Sequence, residues 1–349
     1  MKKLVTSVVA AVAMVAVAAP VFAADMPVKA KPVAPAPAPS PWDLAFGSAL
    51  MTDYIFRGIT QSGHNPSVAA YFEPRYNITP DLQLYAGISG ESIHFANSAA
   101  AEIDFYGGIR PTFGPLALDF GIWEYYYPGG TCFGSGPLMA QIGTPVGNTG
   151  NACYADPYPS GNVAKRNASF YELYAKATYT MGDWAFGPTF YYTPNYANLG
   201  ADGEYLSGII KYTAPASMAL WNGQIGWYVS GEFGHQWLGT SDPFYGVTRN
   251  GLVGAGGPFV FGIPEPDYNT WNVGLGFTWK VFTLDLRYSD TDLSKTECSA
   301  LTSDPGAKVQ NGMGSTFNGT INPAGTLSKW CGSAFTAKLS ADLTLGSLK

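Results

Sequence analysis

The chain has 349 residues, a formal net charge of −6 and charged side chains at only 13% of positions. That is about half the roughly 25% of an ordinary soluble domain, and the acidic balance argues against nucleic acid as a partner. Gly (42), Tyr (22) and aromatic residues in general (15%) are abundant, yet past the N-terminus no apolar run reaches the roughly 20 residues of a spanning helix. Low charge without a long apolar run fits a membrane β-barrel, whose strands show only every second side chain to lipid.

The elements follow in chain order. Lys2 and Lys3 precede an apolar run from Leu4 to Ala19, and small residues spaced for cleavage stand at Val21 and Ala23. Residues 1–23 therefore read as a secretory signal peptide, with a membrane anchor as the weaker alternative. Residues 24–41 alternate Pro with Ala, Val and Lys, a composition that favours extended polyproline II and builds no core, so they read as a periplasmic spacer.

Residues 42–349 show about twelve segments with period-two alternation, the signature of a half-buried strand. The first is placed at Asp43 to Gly58, with Leu44, Phe46, Leu50, Tyr54 and Phe56 on one face and Asp43, Asp53 and Arg57 on the other. Ser67–Tyr76, Leu82–Ile93, Glu102–Phe113 and Leu116–Tyr127 follow, their polar faces carrying Glu73, Arg75, Asp104, Arg110 and Asp119. Ser169–Tyr179, Trp184–Thr193, Glu204–Ala214 and Gln224–Gln236 carry Glu172, Lys176, Lys211 and Glu232. Tyr268–Trp279, Phe282–Asp290 and Ala334–Leu345 complete the set, with Asp285, Arg287 and Lys338. Every second connection is short, as at Gly114-Pro115 and Lys280-Val281, while the others include Pro128–Ala168, Trp237–Asp267 and Thr291–Ser333. Bacterial barrels place short turns in the periplasm and long loops outside. The expected fold is an all-β, transmembrane, antiparallel up-and-down barrel of about 12 strands.

Four cysteines in an exported chain suggest disulfides, and three pairings are open. Sequence proximity favours Cys132 with Cys153 and Cys298 with Cys331, each bridge closing one long loop. By loop closure each would stabilise the fold by roughly 3–4 kcal/mol, less any strain.

The segment Thr52-Asp53-Tyr54-Ile55-Phe56-Arg57-Gly58-Ile59-Thr60-Gln61-Ser62, followed by Asn65-Pro66-Ser67-Val68, resembles the N-terminal hallmark of the TorF family of putative porins. Hairpin spacing and Gly/Tyr-rich strands extend a looser resemblance over most of the chain past the signal peptide. The resemblance implies an outer-membrane barrel with a porin-like function. That family's porin label rests on fold, so it transfers no catalytic or binding position. The Cys-bearing loops and the ending Gly346-Ser347-Leu348-Lys349, where barrels commonly carry a terminal aromatic, depart from the pattern.

A porin conducts passively, and charges on its wet inner face set selectivity. The pore-lining candidates are Asp53, Arg57, Glu73, Arg75, Asp104, Arg110, Asp119, Glu172, Lys176, Lys211, Glu232, Asp285, Arg287 and Lys338. Their balance of acids and bases predicts weak charge selectivity. Small barrels fill with side chains and large ones leave a channel, and about twelve strands lies between. An open pore and a plugged interior both remain as readings. Arg57 stands out, either as a constriction charge facing Asp53 or Glu73 or as an intrabarrel ion pair. Inward Tyr71, Tyr85 and Tyr106 are weak candidates for sugar stacking.

His64, His94 and His235 map to strand ends, and neither G-x-S-x-G nor H-E-x-x-H occurs, so no enzyme, cofactor or metal is expected. The expected partners are outer-membrane lipid and small hydrophilic solutes, with passive diffusion as the function and a plugged structural or adhesive barrel as the alternative. Oligomeric state is not readable from the sequence.

Overall fold

A computed structural model describes residues 41–131, 133–134, 163–242, 247–248, 259–262, 264–302, 304 and 328–345. The proposed signal peptide and spacer, and the pair Cys132 and Cys153, lie outside these residues. Twelve antiparallel strands close into one barrel. They are β1 (Trp42–Met51), β2 (Ser67–Thr79), β3 (Leu82–Glu91), β4 (Glu102–Phe113), β5 (Leu116–Tyr126) and β6 (Phe170–Met181). The second half comprises β7 (Trp184–Thr193), β8 (Gly203–Thr213), β9 (Gly226–Leu238), β10 (Tyr268–Trp279), β11 (Phe282–Thr291) and β12 (Ala334–Thr344). Each strand pairs with its neighbours in sequence, and β1 closes the ring by pairing with both β2 and β12. Closure leaves no free edge, which a backbone in hydrocarbon requires.

The alternation behaves as the pleat demands. Leu50, Val68, Phe72, Phe105, Leu173, Ile210, Phe233 and Val273 are exposed on the outer face, where lipid takes the place of water. At the short-turn rim Trp42 stacks edge-on to Tyr76 at 4.9 Å, Trp184 on Tyr212 at 4.9 Å and Trp279 on Phe282 at 5.9 Å. These pairs form an aromatic girdle of the kind that marks a membrane interface. On the inner face, Tyr rings lie flat against Gly of the neighbouring strand. A Cβ on Gly276 would stand 2.0 Å from the Tyr228 ring, so only glycine admits the contact.

One sequence expectation is corrected here. The first strand ends at Met51 rather than Gly58. Residues 52–66 leave the wall and form a small hairpin from the two-residue strands Ile55–Phe56 and Ile59–Thr60. Tyr54 and Phe56 therefore do not share the lipid face of Leu50. Alternation alone could not find the break, because the polar and apolar parity of a wall strand and of an inserted hairpin look alike.

Candidate functional site

The hairpin is the element that turns a barrel wall into a site. Its two central residues, Arg57 (φ 46°) and Gly58 (φ 77°), both have positive φ. A two-residue hairpin turn of this primed type requires that conformation. Gly58 suits it, and its position is crowded as well: a Cβ there would sit 2.1 Å from the Thr291 methyl. Arg57 does not suit it, since a left-handed non-Gly residue costs about 1–2 kcal/mol. The strained position is held by what the side chain reaches.

Arg57 Nη1 and Nη2 donate to Glu172 Oε1 and Oε2 at 2.8 and 2.7 Å, a two-pronged pair, and Nη1 also donates to Gln236 Oε1 at 2.8 Å. Its guanidinium carbon lies 4.3 Å from the ring centre of Tyr205, 4.6 Å from Phe56 and 4.9 Å from Tyr191. The side chains of Arg57 and Glu172 are 5% and 1% exposed. Burial opposes the charge on Arg57, and the Glu172 carboxylate more than restores it, so the guanidinium is held above its ordinary pKa. Tyr125 donates to Glu172 Oε2 at 3.1 Å, and Gln236 Nε2 donates to the Glu204 and Trp237 carbonyls at 3.1 Å, which fixes the amide. Planar donors meeting a carboxylate in this way make a strong, directional tie.

The hairpin base is braced separately. Asp53 Oδ1 accepts from Thr60 Oγ1 at 2.5 Å and Ser62 Oγ at 2.9 Å, and Asp53 Oδ2 lies 2.6 Å from His64 Nδ1. His64 Nε2 lies 2.7 Å from the Lys329 carbonyl. Both neighbours of this imidazole are acceptors, so the geometry suits a ring protonated on both nitrogens. Burial lowers the His64 pKa, while the Lys329 carbonyl and Asp53 raise it, for a net rise. Tyr54 donates to Glu102 Oε1 at 2.6 Å, and Tyr127 to Glu102 Oε2 at 2.9 Å. Burial first, then the Glu102 charge, pushes both phenols well up, so they remain donors.

The remaining candidates face the interior in two groups. In one, Glu73 accepts from Arg75 at 2.6 Å and Arg110 at 2.8 Å, Arg110 reaches Asp119 at 3.2 Å, and Tyr85 donates to Asp119 at 2.5 Å and touches the Tyr174 hydroxyl. In the other, Arg287 bonds Asp285 at 2.9 Å and Ser230 at 2.9 Å, Tyr228 donates to Asp285 at 2.7 Å, and Glu232 accepts from Tyr205 at 3.0 Å. Lys176 lies over the rings of Tyr174 and Tyr191, and Lys211 over Tyr228. Lys338 pairs in register with Asp285. Asp104 accepts from Ser89 at 2.9 Å. Arg57 thus faces Glu172, not the expected Asp53 or Glu73. The partner lies 115 residues away in the chain, and no local spacing could name it.

Sequence reasoning passed over Gln236, Glu91 and Glu102 as site residues. Each sits at the inward parity of its strand, and that was the available signal. Among the described residues, Glu91, Glu102 and Asp104 bring one carboxylate oxygen each within 4.8 Å of one another, a spacing that could hold a cation. The three histidines do not form one site: His64 joins Asp53, His94 meets the Trp330 ring at 6.3 Å, and His235 bonds Asn269 at 2.7 Å. Of the candidate cysteines, Cys298 and Cys331 are bridged.

Beside the hairpin a cavity of about 550 Å³ remains in the lumen. Its lining includes Ala49, Ala69, Thr270, Ser289, Thr336 and Ser340, with Asp285, Arg287, Lys338 and Asp342 among its charges. A second cavity of about 370 Å³ lies near the short turns, lined by Gln83, Arg110, Asp119 and Lys176.

A closed twelve-stranded ring with a lipid-facing outer surface and a polar, partly open interior is an outer-membrane β-barrel of bacterial type. A family described as "Bacterial protein of unknown function (Gcw_chp)" matches residues 35–148. Among curated proteins none matches the chain. The COG4313 outer membrane channel from Pseudomonas putida F1 is similar at 10% identity and a TM-score of 0.41, over 91% of this chain and 100% of that one. The NanC porin is similar at 8% identity and 0.36, over 86% and 100%. LpxR from Salmonella typhimurium is similar at 8% and 0.34, over 86% and 99%. The architecture itself rests on the chain's own closed ladder of strand pairs.

Proposed function

We propose that this barrel is a porin-like channel through which small hydrophilic solutes diffuse passively, along a passage beside the Arg57 hairpin rather than down the barrel axis. The observation that carries this reading is the 550 Å³ cavity left between the hairpin and the small inward side chains of β1, β2 and β10–β12. The resemblance of residues 52–62 to the TorF hallmark supports the same reading. So does the expected export signal in residues 1–23, followed by the spacer in 24–41 and the barrel in 42–349. No catalytic step is proposed.

The charges along the cavity refine the expected selectivity. Asp53, Glu91, Glu232, Asp285 and Asp342 stand against Arg57, Arg287 and Lys338. Arg57 and Arg287 are engaged with Glu172 and Asp285. A mild preference for cations follows, because acidic groups outnumber basic ones along the wet face. Folded protein in a planar bilayer should give discrete steps that shrink with large polymer solutes, and a reversal potential shifted toward cations in a salt gradient. Lys338→Glu should deepen that shift. Protein that folds, judged by heat-dependent gel mobility, and never conducts would overturn the channel reading.

A second reading is a plugged structural or adhesive barrel. It is favoured by the Arg57–Glu172–Gln236 tie and the Tyr85–Tyr174 contact, which fill the other side of the lumen. The same conductance experiment separates the two.

A further inference from the structure

The hairpin is held from two directions. From inside, Arg57 ties its tip to the wall. From outside, residues 329–331 lie along its second strand. Cys331 forms an antiparallel bridge with Ile59, the Thr60 N–H donates to the Trp330 carbonyl at 2.9 Å, and His64 reaches the Lys329 carbonyl at 2.7 Å. A short segment of the last long connection of the barrel thus lies against the hairpin through one isolated antiparallel bridge.

That segment is fastened by a covalent bond. Cys331 is bridged to Cys298, which is fully buried on the helix Lys295–Thr302. The helix is well founded at the rim. Ser294 and Glu297 form a capping box, with the Ser294 N–H donating to Glu297 Oε2 at 2.9 Å and the Glu297 N–H to Ser294 Oγ at 3.2 Å. Leu301 packs against the aromatic cluster of Tyr125, Tyr127, Phe170 and Tyr196. A second, weaker fastening runs from Ser328 Oγ to Asp304 Oδ2 at 2.8 Å.

We propose that the Cys298–Cys331 disulfide is a redox-sensitive strap that keeps the hairpin in the lumen, so that its reduction lets the hairpin leave and widens the passage. The reductant is a dithiol. It transfers two electrons and two protons, the sulfur–sulfur bond breaks, Cys298 and Cys331 become thiols, and the dithiol closes to its own disulfide. Residues 329–331 then keep their hydrogen bonds, the Trp330–His94 ring contact and the chain connection to β12. The hairpin keeps Arg57, at its strained φ, the Tyr54–Glu102 bond, the bond from the His94 N–H to the Gln61 carbonyl and its short-range braces. Both ties bias one equilibrium between seated and released hairpin, so removing the covalent one shifts the population. The widening rests on the channel reading; the release of the hairpin does not.

The test uses folded protein carrying Cys132→Ser and Cys153→Ser, so that a dithiol acts on one bridge only. Hydrogen exchange of peptides spanning residues 52–66 should speed up about tenfold on reduction, because local opening sets the exchange rate. The conductance step in a planar bilayer should rise about twofold, as expected when a constriction is relieved. Cys298→Ser with Cys331→Ser should reproduce the reduced state and make the dithiol inert; if that variant does not fold, reduction of the folded parent still decides. Unchanged exchange on reduction overturns the strap. Faster exchange with an unchanged step overturns its role as a gate. No step in either state overturns the channel reading, and exchange alone then decides the strap.

Discussion

The two sides of the lumen are built from the same alternation and end in opposite states. Strands β3 to β8 point Tyr85, Tyr106, Tyr125, Tyr174, Tyr191 and Tyr205 inward, and the hairpin tip lands on that side. Strands β1, β2 and β10–β12 point Ala49, Ala69, Thr270, Ser289, Thr336 and Ser340 inward, and the cavity lies there. The difference is one of side-chain volume and of acceptors. The crowded side brings Glu172 to the hairpin tip, with Gln236 of β9 beside it, whereas the buried carboxylates of the sparse side, Glu73 and Asp285, are already taken by Arg75, Arg110 and Arg287. A lumen of this strand number, between a filled barrel and an open one, keeps a cavity where its filling is gathered to one wall.

The largest effect should come from unseating the tip. Arg57→Ala leaves Glu172 buried without its cation, and breaking one partner of such a pair costs about 3–5 kcal/mol. Urea unfolding in detergent should show that loss, and Glu172→Gln in the same chain should restore part of it. Full stability in the single variant would mean that the hairpin is not anchored by this pair.

A smaller effect tests the sparse side. Thr336→Trp should reduce conductance to about half by filling the passage, with stability little changed. Tyr106→Phe, on the crowded side, should leave the step size alone. Equal effects of the two would erase the distinction between the sides.

The smallest effect is one of pH. The His64 pKa is raised, so its contribution to holding the hairpin is full below the ordinary value of about 6.5 and is lost as pH rises through the raised value. The neutral ring has one nitrogen without a proton, and that nitrogen cannot donate to either Asp53 or Lys329. Exchange in residues 52–66 should therefore quicken as pH rises above about 6.5, beyond the intrinsic rise, and His64→Gln should flatten the difference.

Much of this was legible before any coordinates. The strands at Glu102–Phe113, Trp184–Thr193 and Tyr268–Trp279 begin and end where alternation places them. The pairing of Cys298 with Cys331 followed from proximity along the chain. The hairpin was not legible. Tyr54 and Phe56 continue the apolar parity of β1, and an Arg at the first turn position hides the usual Asn-Gly signal of a two-residue hairpin.

The amino-acid sequence by itself determined the barrel, its inside and outside, and the contrast of short and long connections. These follow from a period of two and from turn lengths, both local properties of the chain. Only the tertiary structure decided where residues 52–66 go, that Arg57 meets Glu172 and Gln236, and that residues 329–331 brace the hairpin. Those contacts join positions 115, 179 and 265 residues apart. Their geometry exists only once the ring has closed and brought opposite walls within reach of one side chain.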